Sequence, residues 1–241
     1  MTTPAPSGPG SPVLTLPEEL ILLTLDRVSG KALCPAASLA YGVAGAALAE
    51  LELQGRIREK SGRVQVVNPL GPADPRLAGL LGTLPQAKGR RSGTRARRWV
   101  ADYDKHVHTL YVDSLVERSV LARRTRRFLG VLPYHRHFPG VPDLTPGVHE
   151  RFAAAETAGR PEHRDRLLAA LVSAVGLAGR LTHDGASGRT AMRVLRRSEW
   201  TATAVHHNVK RQSSGGDGSG GWIGDDGAGD GGCGGGCGGG D

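Results

Sequence analysis

From Gln212 to Asp241 the chain is mostly glycine, interrupted by Asp217, Asp225, Asp226, Asp230 and Asp241. A segment of that composition has too few apolar side chains to build a core, so whatever folds must be made from the residues before it. Of 241 residues, 31 are Lys or Arg and 23 are Asp or Glu, a formal net charge of +8. Setting aside the tail's five aspartates leaves 18 acidic side chains against 31 basic ones, so residues 1–211 carry +13. That excess points to an anionic partner: nucleic acid, an acidic protein or a lipid surface.

The uninterrupted apolar runs fall short of the roughly 20 residues of a spanning helix. Ala36 to Leu48 and Leu167 to Gly179 are rich in alanine, glycine and serine, which predicts buried helices of a soluble domain. The start, MTTPAPSGPGSPV, has neither the charged nor the apolar region of a secretory signal. Three cysteines, Cys34, Cys233 and Cys237, make no disulfide framework, and a reducing cytoplasmic compartment is expected.

The expected fold class is mostly α, a helical bundle with one or two small β-hairpins and a winged-helix-like N-terminal portion. Residues 1–13 are expected to be disordered, 14–205 to form the helical domain, and 206–241 to be a disordered Gly/Asp-rich tail. Thr15 and Glu18 have capping-box spacing, which predicts a short helix through Leu20, Leu23 and Asp26 closing by Gly30. Ser38 is the expected cap of a second helix running to about Gln54, with Gly55 as its left-handed stop. The string RIREKSGRVQVVNP alternates about a Ser61-Gly62 turn and predicts a hairpin. Asp74 and Pro75 open a helix bearing Leu77, Leu80 and Leu81, and a basic loop follows, from Lys88 to Arg98. Trp99, Tyr103, Val107, Leu110 and Tyr111 at spacings of three and four predict a long helix to about Arg118. VLARRTRRFLGVLPYHRHF predicts a second hairpin. Helices after Thr145-Pro146 and Pro161, and a last one from about Thr190 to Ala204, complete the core.

Nine histidines raise the question of a metal, and their spacing argues against one. His106 and His108 differ by two on a helix, His206 and His207 are adjacent, and His135 and His137, on one strand face, have no Cys or carboxylate beside them in a ligand pattern. Cys233 and Cys237 sit in a glycine chain without further ligands. No metal, cofactor or catalytic residue is therefore assigned, and no local nucleophile motif stands out. The informative feature is basic: Arg118, Arg123, Arg124, Arg126 and Arg127 run directly into Phe128 and Leu129. Arginines beside an apolar pair at a hairpin tip suit a membrane interface, where guanidinium groups meet phosphates and the apolar side chains enter the acyl boundary. Residues 16–68 read as helix, helix, hairpin, the order of a winged helix. Its second helix, SLAYGVAGAALAELELQ, has two glutamates and no Arg, Lys or Asn, which disfavours reading base edges.

LPEELILLTLDRVSGK followed by YGVAGAALAELELQGRI resembles the opening signature of the Golgi phosphoprotein 3 family. LYVDSLVERSVL resembles the helix that leads into that family's β-loop, and the arginine-rich hairpin stands where the loop should be. The resemblance covers about residues 14–205 and lies in the order and spacing of these strings. It implies a mostly helical, non-catalytic, peripheral membrane protein that recognises phosphatidylinositol 4-phosphate and inserts a hydrophobic β-loop. Eukaryotic members also bind enzyme tails and cytoskeletal partners. Carried onto this chain, the family's headgroup pocket places Pro35 at its aromatic position, Ala44 at one arginine, and Lys105 and His108 at two others. The expected site is thus Lys105, His108, Arg97, Arg98, Arg123, Arg124, Arg126 and Arg127 for anionic headgroups, with Phe128 and Leu129 for insertion. General affinity for an anionic phospholipid membrane survives these changes better than phosphoinositide selectivity, because it depends on summed charge. Acidic protein tails are a further candidate partner. The alternative is a winged-helix-like nucleic-acid-binding or regulatory protein using the basic loop at 88–98.

Overall fold

Residues 14–86, 93–128 and 132–214 are described by a computed structural model of the protein; residues 1–13, 87–92, 129–131 and 215–241 lie outside the described residues. The first helix, α1 (Leu16–Leu23), begins where Glu18 reaches back to accept the Thr15 amide at 2.9 Å, one half of a capping box. The helix stops before Asp26, whose carboxylate accepts from the Val28 and Ser29 amides and the Ser29 hydroxyl and so holds a turn instead. Helix α2 (Ala36–Leu53) starts two residues ahead of the expected cap: Pro35 takes the N-cap position, its carbonyl accepting from Leu39 N, and Ser38 is buried in the first turn. Gly55, at φ +65°, ends it as expected.

The hairpin β1 (Ile57–Lys60) and β2 (Arg63–Val66) follows, with Ser61 and Gly62 at its turn, and a two-residue strand β3 (Thr94–Arg95) extends it along β2. Between them lies α3 (Pro75–Gly82), capped by Asp74 as the sequence implies. The long helix α4 (Ala96–Glu117) leads into the second hairpin, β4 (Leu121–Phe128) and β5 (Leu132–Pro139). Helices α5 (Thr145–Thr157), α6 (His163–Ala174) and the single turn α7 (Ala178–Leu181) come next. The predicted last helix is in fact two, α8 (Gly185–Ser198) and α9 (Trp200–Ser214). Glu199 is extended at φ −92°, ψ 117° and breaks them apart, while the Trp200 indole donates to Glu52 at 2.7 and 2.8 Å and draws α9 onto α2. The chain stays helical past Ala204 to Ser214.

Alanine and glycine explain how α2 occupies the centre. It packs against α1, α4, α6 and α9, and a Cβ on Gly45 would stand 2.2 Å from Val205 Cγ2, while one on Gly42 would stand 2.5 Å from Val175 Cγ1. Small side chains here let four helices approach one axis. Among the described residues α2 is also the one helix apolar and long enough to cross a membrane by length and composition, yet 72% of it is buried in the protein's own core. The helix, helix, hairpin order expected for the N-terminal portion is present, with its second helix buried rather than presented.

Three buried carboxylates peg the bundle. Glu18, 1% exposed at its side chain, accepts from Arg76 at 2.7 Å and from Arg118, joining α1 to α3 and to the end of α4. Glu19 pairs with Arg151 and Arg164 at 3.1 Å each, and Glu50 with Arg164 at 3.0 Å while accepting the Leu16 amide at 2.8 Å. Removing one partner of a buried pair strands the other. Glu18→Ala is therefore expected to cost about 3 kcal/mol, discounted from the top of the range because Arg118 is 39% exposed. Its urea midpoint should fall with the slope unchanged. Gly45→Ala tests the packing: a gain in helix propensity of about 1 kcal/mol is opposed by overpacking of about 1–3 kcal/mol. A net loss of stability is expected, and a stabilised variant would show that Val205 yields freely.

Candidate functional site

Antiparallel register sorts the β4–β5 hairpin into two faces. Arg124 lies opposite Arg136, Ala122 opposite Phe138 and Arg126 opposite Tyr134, and these alternate with Arg123 opposite His137, Thr125 opposite His135 and Arg127 opposite Pro133. Within the first set Arg124, Arg136, Tyr134 and Phe138 form a cationic and aromatic face. The Arg124 guanidinium stands 4.9 Å from the Phe138 ring centroid and that of Arg136 stands 5.0 Å from Tyr134. Arg124 is exposed, and Phe138, Tyr134 and Arg136 are half-buried. On the second face Arg123 turns toward α4 at the hairpin base, where it pairs with Asp113 and Leu121 is buried. Phe128 is the last residue of β4, and Leu129 lies outside the described residues.

The base is fixed by close backbone contact. His137 N donates to Gly30 O at 3.2 Å, Gly140 N to Val120 O at 2.8 Å and Val141 N to Ser119 O at 2.9 Å. A Cβ on Gly140 would stand 1.8 Å from Ser119 O, so only glycine closes the hairpin there. His108, half-buried on α4, and His137 line a cavity of about 50 Å³ with Leu39, Val112 and Leu121. Ligand pockets run to roughly 300–1,000 Å³, so this cavity does not admit an inositol headgroup. Lys105 lies exposed one turn before His108. Of the other two carried-over positions, Pro35 is exposed at the start of α2, and Ala44 is wholly buried in the core, where nothing on it meets solvent.

Arg97 and Arg98 are not part of this arrangement. They occupy the first turn of α4, eleven residues before His108 in the case of Arg97, or about 16 Å along the helix axis. They line a separate cleft with Arg63, Arg95 and Arg211. The arginines from Arg123 to Arg127 thus belong to the hairpin, and those at the start of α4 contribute to another basic surface. Sequence reasoning missed Arg136 and Tyr134, whose place opposite Arg124 and Arg126 depends on the turn length, and Asp113, which holds Arg123. Among the described residues no group of three His, Cys, Asp or Glu could hold a metal ion.

Burial holds both His108 and His137 below the ordinary imidazole range. Asp104 and Asp113 pull His108 back up, whereas Arg123, His108 and His135 reinforce the depression at His137, against Asp113. A folded-state pKa below the unfolded value of about 6.5 leaves stability complete above that pH and lost as pH falls through the folded value. Between pH 7 and pH 5 the urea midpoint should therefore fall, and by less in a His108→Gln, His137→Gln variant. An identical pH slope in the two proteins would assign the loss to other groups.

No curated protein matches the chain at a significant level. The description of the Golgi phosphoprotein 3 (GPP34) family matches residues 16–212, from the first residue of α1 into the last turns of α9, and so includes the arginine hairpin that follows α4. The match covers most of the chain and agrees with a mostly helical bundle bearing small hairpins: the chain belongs to the Golgi phosphoprotein 3 family.

Proposed function

We propose that the protein is a non-enzymatic, peripheral membrane protein that docks on anionic phospholipid headgroups through the β4–β5 hairpin. The reading is carried by Arg124 over Phe138 and Arg136 over Tyr134, two guanidinium groups held on aromatic rings on one hairpin face. Guanidinium is weakly hydrated and donates in a planar fork, so an arginine lying on a ring can meet a phosphate at a boundary of low polarity. Rings of this kind rest well at the headgroup level. Arg126 and Arg127 belong to β4, and on this reading Phe128 at its end and Leu129 next in sequence are the segment that enters the bilayer.

Each basic side chain near an anionic leaflet adds about 1 kcal/mol, so Arg124 and Arg136 together supply about 2 kcal/mol, roughly thirtyfold in partition. Selectivity for phosphatidylinositol 4-phosphate is what the family suggests. The small cavity at His108 and the buried Ala44 favour recognition by summed charge rather than by a closed headgroup pocket. On this reading the protein works on the cytoplasmic face of a membrane, Golgi-like in the sense of its family.

Flotation with vesicles tests the proposal. The full chain should float with phosphatidylserine or phosphatidylinositol 4-phosphate vesicles at low salt, and less as salt rises through the screening range. Arg124→Glu with Arg136→Glu should lower recovery at least tenfold while the urea midpoint is retained. Equal recovery on neutral and anionic vesicles, or a charge-reversed hairpin that still floats, would overturn it.

A further inference from the structure

A cleft of about 780 Å³ opens where the N-terminus of α4 meets β2, β3 and α9. Its charge is one-sided: Arg63, Arg95, Arg97, Arg98 and Arg211 line it with Asp102 as the one carboxylate, and Asp102 lies 3.4 Å from Arg98. Among the described residues Arg63, Arg95, Arg97 and Arg211 form no ion pair; Arg63 donates only to the Gly93 carbonyl, at 2.9 Å. Two features make this placement costly as it stands. Arg63 and Arg95 are direct cross-strand neighbours in the β2–β3 register, and like charges so placed repel. Arg95 is also the N-cap of a 22-residue helix with Arg97 and Arg98 in its first turn and no acidic residue there. Cations at that end oppose the helix dipole, by about 0.3–1 kcal/mol each. Both penalties reverse when an anion enters the cleft.

We propose that the occupant is the chain's own acidic tail, residues 215–241, and that the cleft is its intramolecular docking site. The tail has five aspartates and no Lys, Arg or His, a charge of −5 against a net +4 in the cleft. It is also tethered in place. Arg211 lines the cleft, and α9 ends one turn later at Ser214. Asp225 and Asp226 follow Ser214 by eleven and twelve residues, for which a glycine-rich chain has a root-mean-square span of about 20 Å. A tether of that length gives an effective concentration in the millimolar range, so several weak aspartate-arginine contacts are enough to hold the tail in cis. The remaining wall is neutral and firm: the Asn208 amide donates to the Arg97 carbonyl at 2.8 Å, and Trp99 stacks on Tyr103 at 5.0 Å. The site is separate from the membrane hairpin, so neither proposal depends on the other.

The full chain carries its own probe positions. Cys34 is buried, and its thiol is pushed up to about 11 by burial, so with Cys237→Ser a nitroxide reagent attaches at Cys233. In an amide NMR spectrum of this labelled chain, resonances of residues 93–98 and of Arg211 should be broadened relative to the reduced label. The broadening should disappear when Asp217, Asp225, Asp226 and Asp230 are changed to Asn, and in 0.5 M salt. These four positions belong to no described element, so the variant keeps the folded core as its own control. Broadening that is uniform over the surface, that centres on the hairpin, or that survives the four substitutions would overturn the proposal. Broadening of a nitrogen-15 copy by a separate spin-labelled copy, equal to that in cis, would overturn it in favour of docking between molecules.

Discussion

Glu18 and Glu19 are adjacent, acidic and buried within one short helix, and the rest of the bundle is arranged around neutralising them. Successive side chains on an α-helix diverge by about 100°, so the two carboxylates cannot share a partner. Glu18 faces Arg76 after the cap of α3 and Arg118 at the end of α4. Glu19 faces Arg151 on α5 and Arg164 on α6, and Arg164 also reaches Glu50 on α2 and the Leu14 carbonyl. A carboxylate taken out of water costs several kcal/mol when its partners are missing. Only a packing in which these arginines arrive together satisfies all three carboxylates, so α1 is the meeting point of α2 to α6. Glu19 shows that pairing does not recover everything: its carboxyl sits above the usual range because desolvation outweighs both arginines. The network therefore selects one arrangement of helices more than it adds stability.

That arrangement reaches the β4–β5 hairpin directly. Arg118 is the residue at which α4 ends, and its hold on Glu18 fixes where the chain leaves the core toward β4. From there Gly140 against Ser119 and His137 against Gly30 hold the hairpin base. With Arg123 tied to Asp113 on the inner face, the alternation of strand side chains leaves Arg124 and Arg136 on the other. Under the proposed docking reading this rigidity is an advantage, because the charges need no reordering on contact.

Features set by neighbours in sequence were legible, and those set by distant contacts were not. The Asp74-Pro75 start, the Gly55 stop and both hairpins follow from backbone preferences within four residues, and they stand where the residues place them. The break at Glu199 has no glycine or proline to announce it. It exists because Trp200 finds Glu52, 148 residues earlier. The start of α2 was misread because Pro35, with no amide to donate, took the position that Ser38 is chemically suited to fill. At the site, composition located the arginines on β4 but not their partners, since Arg136 and Tyr134 enter only through register. The cleft at the start of α4 was less visible still, its arginines coming from β2, β3, α4 and a stretch of α9 beyond the expected helix end.

The two basic surfaces differ in what they can touch. On the hairpin the guanidinium groups rest on rings, which replace part of their hydration and suit them to a boundary of falling polarity. In the cleft they surround a polar hollow at a helix terminus, with Trp99 buried beneath, and a hydrated acidic chain fits where acyl chains would not. The distance between them decides how far they influence each other. About 16 Å of α4 separates Arg97 from His108, or twice the screening length of about 8 Å at physiological salt. Each surface is therefore nearly independent in its electrostatics. On the two proposals taken together, aspartates over the cleft would offset charge at the start of α4 and leave the hairpin's own charge unchanged.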